Sequence, residues 1–326
     1  MNTTKAMPPE IPFTRQFFDG YLVDHFLYKQ TTMYNALEAA IKRLPKADSN
    51  VLEKVLTYAW HKSSSFLTAR SLKGLKEIDY GAYAKSLRLE IRATYFQAIE
   101  TLFELIFSLE PRRNVIDNRH IWYFLCTSKG KNNYKRIEKI ATSDTAFLDR
   151  MINASETMRM PFIQYLFYFG MTDPSAQDAI RASLDPIKKF LVAFAKEFSD
   201  RAEYNAFKHA LRILPTLQKV EFLDQSKKPV LPLDMSTSMS YLDEEGESLS
   251  LRTRPLDTLR DMRMSQVCAY LISNIVRARR AHFTKNLEGH LHTFSQESYT
   301  SATERSVTWA TYDMTLIPIY DDKSQS

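Results

Sequence analysis

Hydrophobic residues recur at spacings of three and four along most of the chain, the signature of helices that bury one face. Arg15–Arg43 carries Phe17, Tyr21, Leu22, His25 and Phe26, then Tyr34, Leu37 and Ile41, in that rhythm. Pro45 and Asp48-Ser49-Asn50 mark a turn, and Val51–Arg70 resumes with Val55, Tyr58, Ala59 and Phe66. After a connection at Ser71–Gly81, Tyr83–Glu110 shows the strongest pattern. Leu87, Ile91, Tyr95, Ala98, Leu102, Leu105 and Leu109 form one face, and Phe96, Ile99, Phe103 and Ile106 widen it. A helix apolar nearly all round belongs in the middle of a bundle. Pro111 ends it.

Arg112–Arg150 is more polar, with a short apolar run of either type at His120–Thr127. Met151–Gly170 is dense in Met and aromatic residues and reads as core. Gly170–Pro174 is a turn and Ser175–Leu184 a short amphipathic helix. Asp185 as N-cap and Pro186 at the first helical position then open one long helix, or two abutting ones, over Pro186–Ile213. Pro215 stops it. Beyond it the rhythm changes. Val220–Leu251 alternates, and Asp243-Glu-Glu-Gly-Glu247 between two runs signals a hairpin. Pro229 and Pro232 suit edge positions. Asp257–Phe283 is helical, with Leu259, Met262, Val267, Leu271 and Ile275 as its buried side. Leu287–Ser298 and Ser306–Tyr320 read as strands.

The pattern predicts a mainly α protein: a multi-helix bundle with a small antiparallel β appendage in its C-terminal third. A flexible arm (1–14) precedes the bundle (15–214). The β-rich appendage (215–320) includes one long helix (256–284) that packs back on the bundle, and 321–326 is a tail.

Composition narrows the function. The chain has 326 residues but only 7 Gly, which disfavours glycine-loop nucleotide binders. Gly130 before Lys131 lacks the spaced glycine of a P-loop. A net charge of +6 permits an anionic partner. Cys126 and Cys268 are too few for a disulfide framework or zinc-finger spacing, which points to a reducing, cytoplasmic setting. The N-terminus lacks the apolar core of a signal peptide, and no run of about 18 apolar residues suggests a membrane span. No cofactor motif is present. His290 and His292 would face one side of a strand and could share a metal, but no Cys or carboxylate stands beside them at ligand spacing, so no metal is expected.

The remaining chemistry lies at Ser199–Arg212. Arg201, Asn205, His209 and Arg212 are spaced by four, four and three and share one helical face. His209 can act as general acid or base, Asn205 can orient an anion or water, and Arg201 or Arg212 can hold a phosphate. RNA carries its own 2′-OH nucleophile, so its cleavage needs only such groups. The same stripe would equally serve the fold. Asn205 and His209 would then bond across a helix interface, and the arginines would pair with Glu197 or Glu203. Lys129, Lys131, Lys135, Arg136 and Lys139 surround Tyr134, as phosphate contacts beside a stacking ring or as a solvated face. Arg277, Arg279 and Arg280, with Lys285, make a second basic cluster, also favoured at a helix C-terminus by the dipole alone. Glu100 and Glu104 form an i,i+4 pair, either a solvated strip or a buried acidic patch.

Tyr204-Asn-Ala-Phe-Lys-His209 near the end of a late helix, with the apolar helix Ala93–Phe107, resembles the HEPN superfamily. That resemblance implies a helical bundle, an RNA-directed and metal-independent ribonuclease activity, and a homodimer that pairs two motifs. It also implies a toxin–antitoxin or phage-defence setting. The family motif is Arg, often a polar residue, then His four to six residues after the Arg. Asn205 and His209 match it, Tyr204 stands at the Arg position, and Arg201 lies further back on the same face. Under it, His209, Asn205, Arg201 and Arg212 are the catalytic set. Tyr204, Lys208, Lys129, Lys131, Lys135, Arg136, Arg277 and Arg280 are the RNA contacts. The alternative is a non-catalytic helical module that binds a protein or nucleic-acid partner in a bacterial or phage defence-type system.

Overall fold

The computed structural model describes residues 10–43, 80–111, 121–128, 130–154, 158–171, 173–208, 213–214, 219–223, 229–234, 237–245, 248–284, 286–287, 289–307 and 312–316. They form a mainly α protein with small antiparallel sheets. The run at Arg15–Arg43 makes two helices, α1 (Glu10–Gly20) and α2 (His25–Ile41). A turn closed by the His25 N–H on the Leu22 carbonyl, 3.1 Å, divides them. α1 begins inside the stretch assigned to an arm. The helix expected at Val51–Arg70 lies outside the described residues. α3 (Tyr80–Ser108) forms as expected, with Tyr95, Phe96, Ala98, Ile99, Leu102, Phe103, Leu105 and Ile106 all buried. The ambiguous run is helical, α4 (Ile121–Thr127), and is followed by α5 (Gly130–Ala141) and the single turn α6 (Ala146–Asp149). A short hairpin, β1 (Met151–Asn153) with β2 (Arg159–Pro161), leads into α7 (Phe162–Tyr168), whose apolar residues are all buried.

The next helix departs from the expected boundaries. α8 runs unbroken over Pro174–Phe198 with Pro186 inside it. Asp173 is its N-cap, the carboxylate accepting from the Ser175 N–H, and Pro174 takes the position expected for Pro186. Two Asp-Pro pairs competed for one helix start. The first wins because Ile180, Ser183, Ile187, Phe190, Leu191, Phe194, Ala195 and Phe198 keep a single buried face in phase through Pro186. An interior proline costs about 3 kcal/mol, and burial of eight residues outweighs it. The helix then stops at Ser199, well before Pro215. Asp200 accepts from the Glu203 N–H (3.2 Å) and starts α9 (Arg201–Lys208).

The chain divides into two units. The first comprises residues 1–30, 93–208 and 257–306; the second comprises 31–92, 209–256 and 307–326. α10 (Thr258–Thr284) is the centre of the first unit and packs on α1, on α7 and on α11 (Gln296–Thr303). Asp257 caps its start and also binds the Ser306 N–H (2.8 Å). Its middle is buried nearly all round, whereas Leu259, expected in the core, is 49% exposed. α8 packs on α5, α7 and α11.

The arginines of α10 close other helices. Arg280 donates to the carbonyls of Phe18 (2.6 Å), Asp19 (3.1 Å) and Tyr21 (2.6 Å), at the C-terminus of α1. Arg279, buried, donates to Tyr165 O (2.9 Å) near the end of α7 and lies over the Tyr165 ring at 4.2 Å. Arg260 donates to Thr303 O (3.2 Å), the last residue of α11, and pairs with Glu197 on α8. Arg263 donates to Glu304 O (2.5 Å). A helix leaves its last carbonyls without partners inside the helix, so an end held in a core needs donors from elsewhere.

The segment Leu287–Ser298 is not a strand. His292 N–H donates to Asn274 Oδ1 (2.8 Å), and Asn274 Nδ2 returns a bond to His292 O (2.7 Å). Tyr168 O–H also donates to that oxygen (2.8 Å), and Phe294 N–H donates to Ser183 Oγ (2.8 Å). These side chains on α7, α8 and α10 take the backbone groups that a strand ladder would need. Burial pushes the Tyr168 hydroxyl up to about 12, against a lowering bond from Ser183. Ser295 then opens α11 with a capping box.

The second unit holds the remaining strands: β3 (Ile213–Leu214), β4 (Lys219–Leu223), β5 (Pro229–Asp234), β6 (Ser238–Glu245), β7 (Ser248–Pro255) and β8 (Tyr312–Leu316). β6 and β7 form the expected hairpin, closed at Glu245↔Ser248, within an antiparallel sheet ordered β3-β6-β7-β8. β4 and β5 pair with each other, which leaves Pro229 and Pro232 on an edge. Met239 and Tyr241 are buried, and Ser240 bonds Thr253 across the hairpin at 2.9 Å.

Tyr168→Phe removes the donor to His292 O and leaves the cavity filled. Loss of about 1–2 kcal/mol of unfolding free energy is expected in urea titrations. Unchanged stability would show that the polar seam between Tyr168 and His292 contributes nothing.

Candidate functional site

α9 is short, so tertiary contacts must hold it. Its apolar side supplies them. Ala206 is buried, and the Tyr204 ring stands 5.9 Å from Phe96 and 4.6 Å from Phe198. Phe207 packs on Phe96 at 5.7 Å. Asn205 is half-buried on this helix and Lys208 is exposed. Arg201 opens the helix, but its side chain lies outside the described parts, and His209 and Arg212 lie outside the described residues. Of the four residues on the expected catalytic stripe, the structure therefore places the side chain of Asn205.

What faces α9 is acidic. Glu100 and Glu104 come from α3. Burial, a hydrogen bond to Glu100, and the charges of Glu100 and Glu104 together hold the Tyr204 hydroxyl well above the ordinary tyrosine range. Lys208 Nζ lies 5.7 Å from the centre of the Tyr204 ring. Burial and the Glu100 charge raise the Glu104 carboxyl, and Lys208 partly offsets them. Glu100 and Glu104 thus do not form a sealed acidic patch. Glu100 is half-buried and bonds the Tyr204 hydroxyl, and Glu104 is exposed, with the Lys208 charge acting on it. The pair was visible in the sequence as an i,i+4 repeat. Its partner helix was not, because nothing in the residue spacing says that α3 meets α9.

The basic residues separate into two groups. Arg136 pairs with Glu110 and lies 3.8 Å over the Phe107 ring. Tyr134 donates its hydroxyl to Ser199 O at 3.0 Å, capping α8. Arg277 donates to Ser273 Oγ (2.9 Å) and stands 3.8 Å from Asp24, and Arg280 closes α1. These guanidinium groups and the Tyr134 hydroxyl are bound to the protein itself. Lys131, Lys135 and Lys139, by contrast, are exposed on α5. Lys129 lies outside the described residues.

The histidine pair is arranged differently from the expected strand. His290 is exposed, and the His292 ring stacks on Tyr270 with centroids 3.9 Å apart and planes 16° from parallel. Among the described residues, no three His, Cys, Asp or Glu side chains converge on a point that could hold a metal ion. No helix among them is long and apolar enough to cross a membrane. No family model, no curated protein and no solved structure matches the chain.

The geometry at α9 fixes the order of two perturbations. Glu104 is expected to titrate above the ordinary glutamate range in carboxyl carbon NMR. Glu100→Gln should bring it down, and Lys208→Met should raise it further. Opposite shifts would mean that the two charges do not act on Glu104 as placed.

Proposed function

We propose that this is an RNA-directed helical protein that grips the sugar–phosphate backbone electrostatically. The observation that supports the reading is the lysine stripe on α5. Lys131, Lys135 and Lys139 are four residues apart and all exposed. A helix rises 1.5 Å per residue, so the Cα atoms of these lysines step along the axis by about 6 Å. Such a row suits successive phosphates of a strand. The opposite face of α5 is fixed: Ile137 and Ile140 are buried, Arg136 lies on Phe107, and Tyr134 is bonded to Ser199. The lysines are therefore presented on an anchored helix. The net charge of +6 favours the same partner.

The HEPN resemblance gives this reading its direction toward RNA. In the reading, α9 with Asn205 leads into the segment, with His209 and Arg212, where cleavage would be sought. Tyr204 at the position of the family's Arg is a packed anchor bound to Glu100. Lys208 lies beside the Tyr204 ring, and its charge acts on Glu104. Backbone binding through α5 is accordingly the part of the reading with most support.

The test is retention of single-stranded RNA as a function of salt. Each phosphate contact contributes about 0.7 to the slope of log affinity against log salt for single strands. The triple variant K131Q/K135Q/K139Q should therefore lose about two from that slope and bind weakly at every sequence. An unchanged slope would remove α5 from the interface. A wild-type protein that retains no RNA at any salt would leave the protein-binding module as the reading.

A further inference from the structure

The His292 ring stacks on the ring of Tyr270. Tyr270, on α10, packs against the core cluster and is half-exposed. Its ring carries the His292 imidazole, nearly parallel at 3.9 Å, and His292 is itself half-exposed. The imidazole is held by more than the stack. Asn274 bonds both the N–H and the C=O of His292, and Tyr168 bonds that C=O as well. The backbone that carries the ring is therefore locked from two helices.

The approach of this segment is also constrained. Gly289 has φ +83°, and a Cβ there would meet Arg277 Nη1 at 1.8 Å. At this φ a side chain strains the backbone, so glycine suits the turn that leads to His290 and His292. Burial first, then the charges of Arg277 and His290, lower the pKa of His292; Asp24 acts weakly the other way. At neutral pH the ring is a neutral aromatic surface with a cationic neighbour.

We propose that the Tyr270–His292 pair is a stacking platform for a base of single-stranded RNA, with the base continuing the stack on the His292 ring. The inference rests on the RNA reading and deepens it by naming where a base is held. Bases of single-stranded RNA stack on tyrosine and histidine rings, and every base has a π-face, so such a platform tolerates sequence. A platform held rigid before binding loses little entropy on contact. The α5 lysines take the backbone, and this pair takes a base.

The probe is a single-stranded RNA oligonucleotide carrying 2-aminopurine, whose fluorescence falls when it stacks. Wild-type protein should quench it on titration. His292→Ala should lose most of the quench and weaken binding about tenfold, the scale of one stacked base. His292→Phe should restore both. The salt slope should be the same in all three, since no phosphate contact changes. The locking bonds are to the backbone of residue 292, so these variants keep them. His292→Ala that binds and quenches like wild type overturns the platform and leaves the RNA reading standing. A salt slope that falls with His292→Ala also overturns it, since the contact would then be electrostatic. No retention by the wild type overturns both.

Discussion

A helix whose C-terminus is packed against other elements must find donors for its last carbonyls, or bury them unsatisfied. In this protein one helix, α10, supplies them for several others. Arg280 closes α1, Arg279 closes α7, and Arg260 closes α11 while pairing with Glu197 of α8. Burial works against the Arg260 charge, and the bond and charge of Glu197 more than offset it, leaving it above the ordinary arginine range. Burial lowers Arg279, and its contacts with Tyr165 oppose that. A guanidinium suits this task because it offers several donors in a plane and lies flat on a ring.

This use of arginine decides which charges face outward. The cluster Arg277–Arg280 reads from sequence as a basic patch, yet its guanidinium groups are turned to carbonyls, a hydroxyl and Asp24. Arg136 is likewise held by Glu110 and Phe107. On α5 the charges displayed are lysines, compact and strongly hydrated, which suit reversible contact with phosphate. Arginine bound to the protein and lysine exposed on α5 is the division on which the proposed RNA face depends. The polar seam at His292 obeys the same requirement in another form. There Asn274, Tyr168 and Ser183 satisfy a segment that has no ladder, and they hold the backbone that carries the proposed platform.

Much of the fold was legible because burial follows period. α3 and α10 come from their apolar spacing to within a few residues, and the β6–β7 hairpin follows from alternation around Gly246. Where two local signals competed, spacing alone chose wrongly. Asp185-Pro186 has the chemistry of a helix start, but the buried face of α8 passes through it. The stop at Ser199 was written as Asp200-Arg-Ala-Glu203, a cap three residues before an acid, and the continuing apolar run masked it. Leu287–Ser298 alternated like a strand, yet its backbone partners are side chains that lie far away in sequence. The site was less legible for the same reason. Glu100, Tyr204 and Lys208 are each ordinary in sequence and acquire meaning only where α3 meets α9. Tyr270 and His292 lie a loop apart, and no periodicity links them.

Arg280 tests the central claim, because its guanidinium donates to three carbonyls at the end of α1. Amide hydrogen exchange of Arg280→Ala, compared with wild type, reads that role residue by residue. The expected result is lost protection concentrated in α1 (Glu10–Gly20), with a fall in unfolding free energy of about 2 kcal/mol. Protection in α1 equal to wild type, with stability unchanged, would contradict the claim that the arginines of α10 hold the neighbouring helix ends in place.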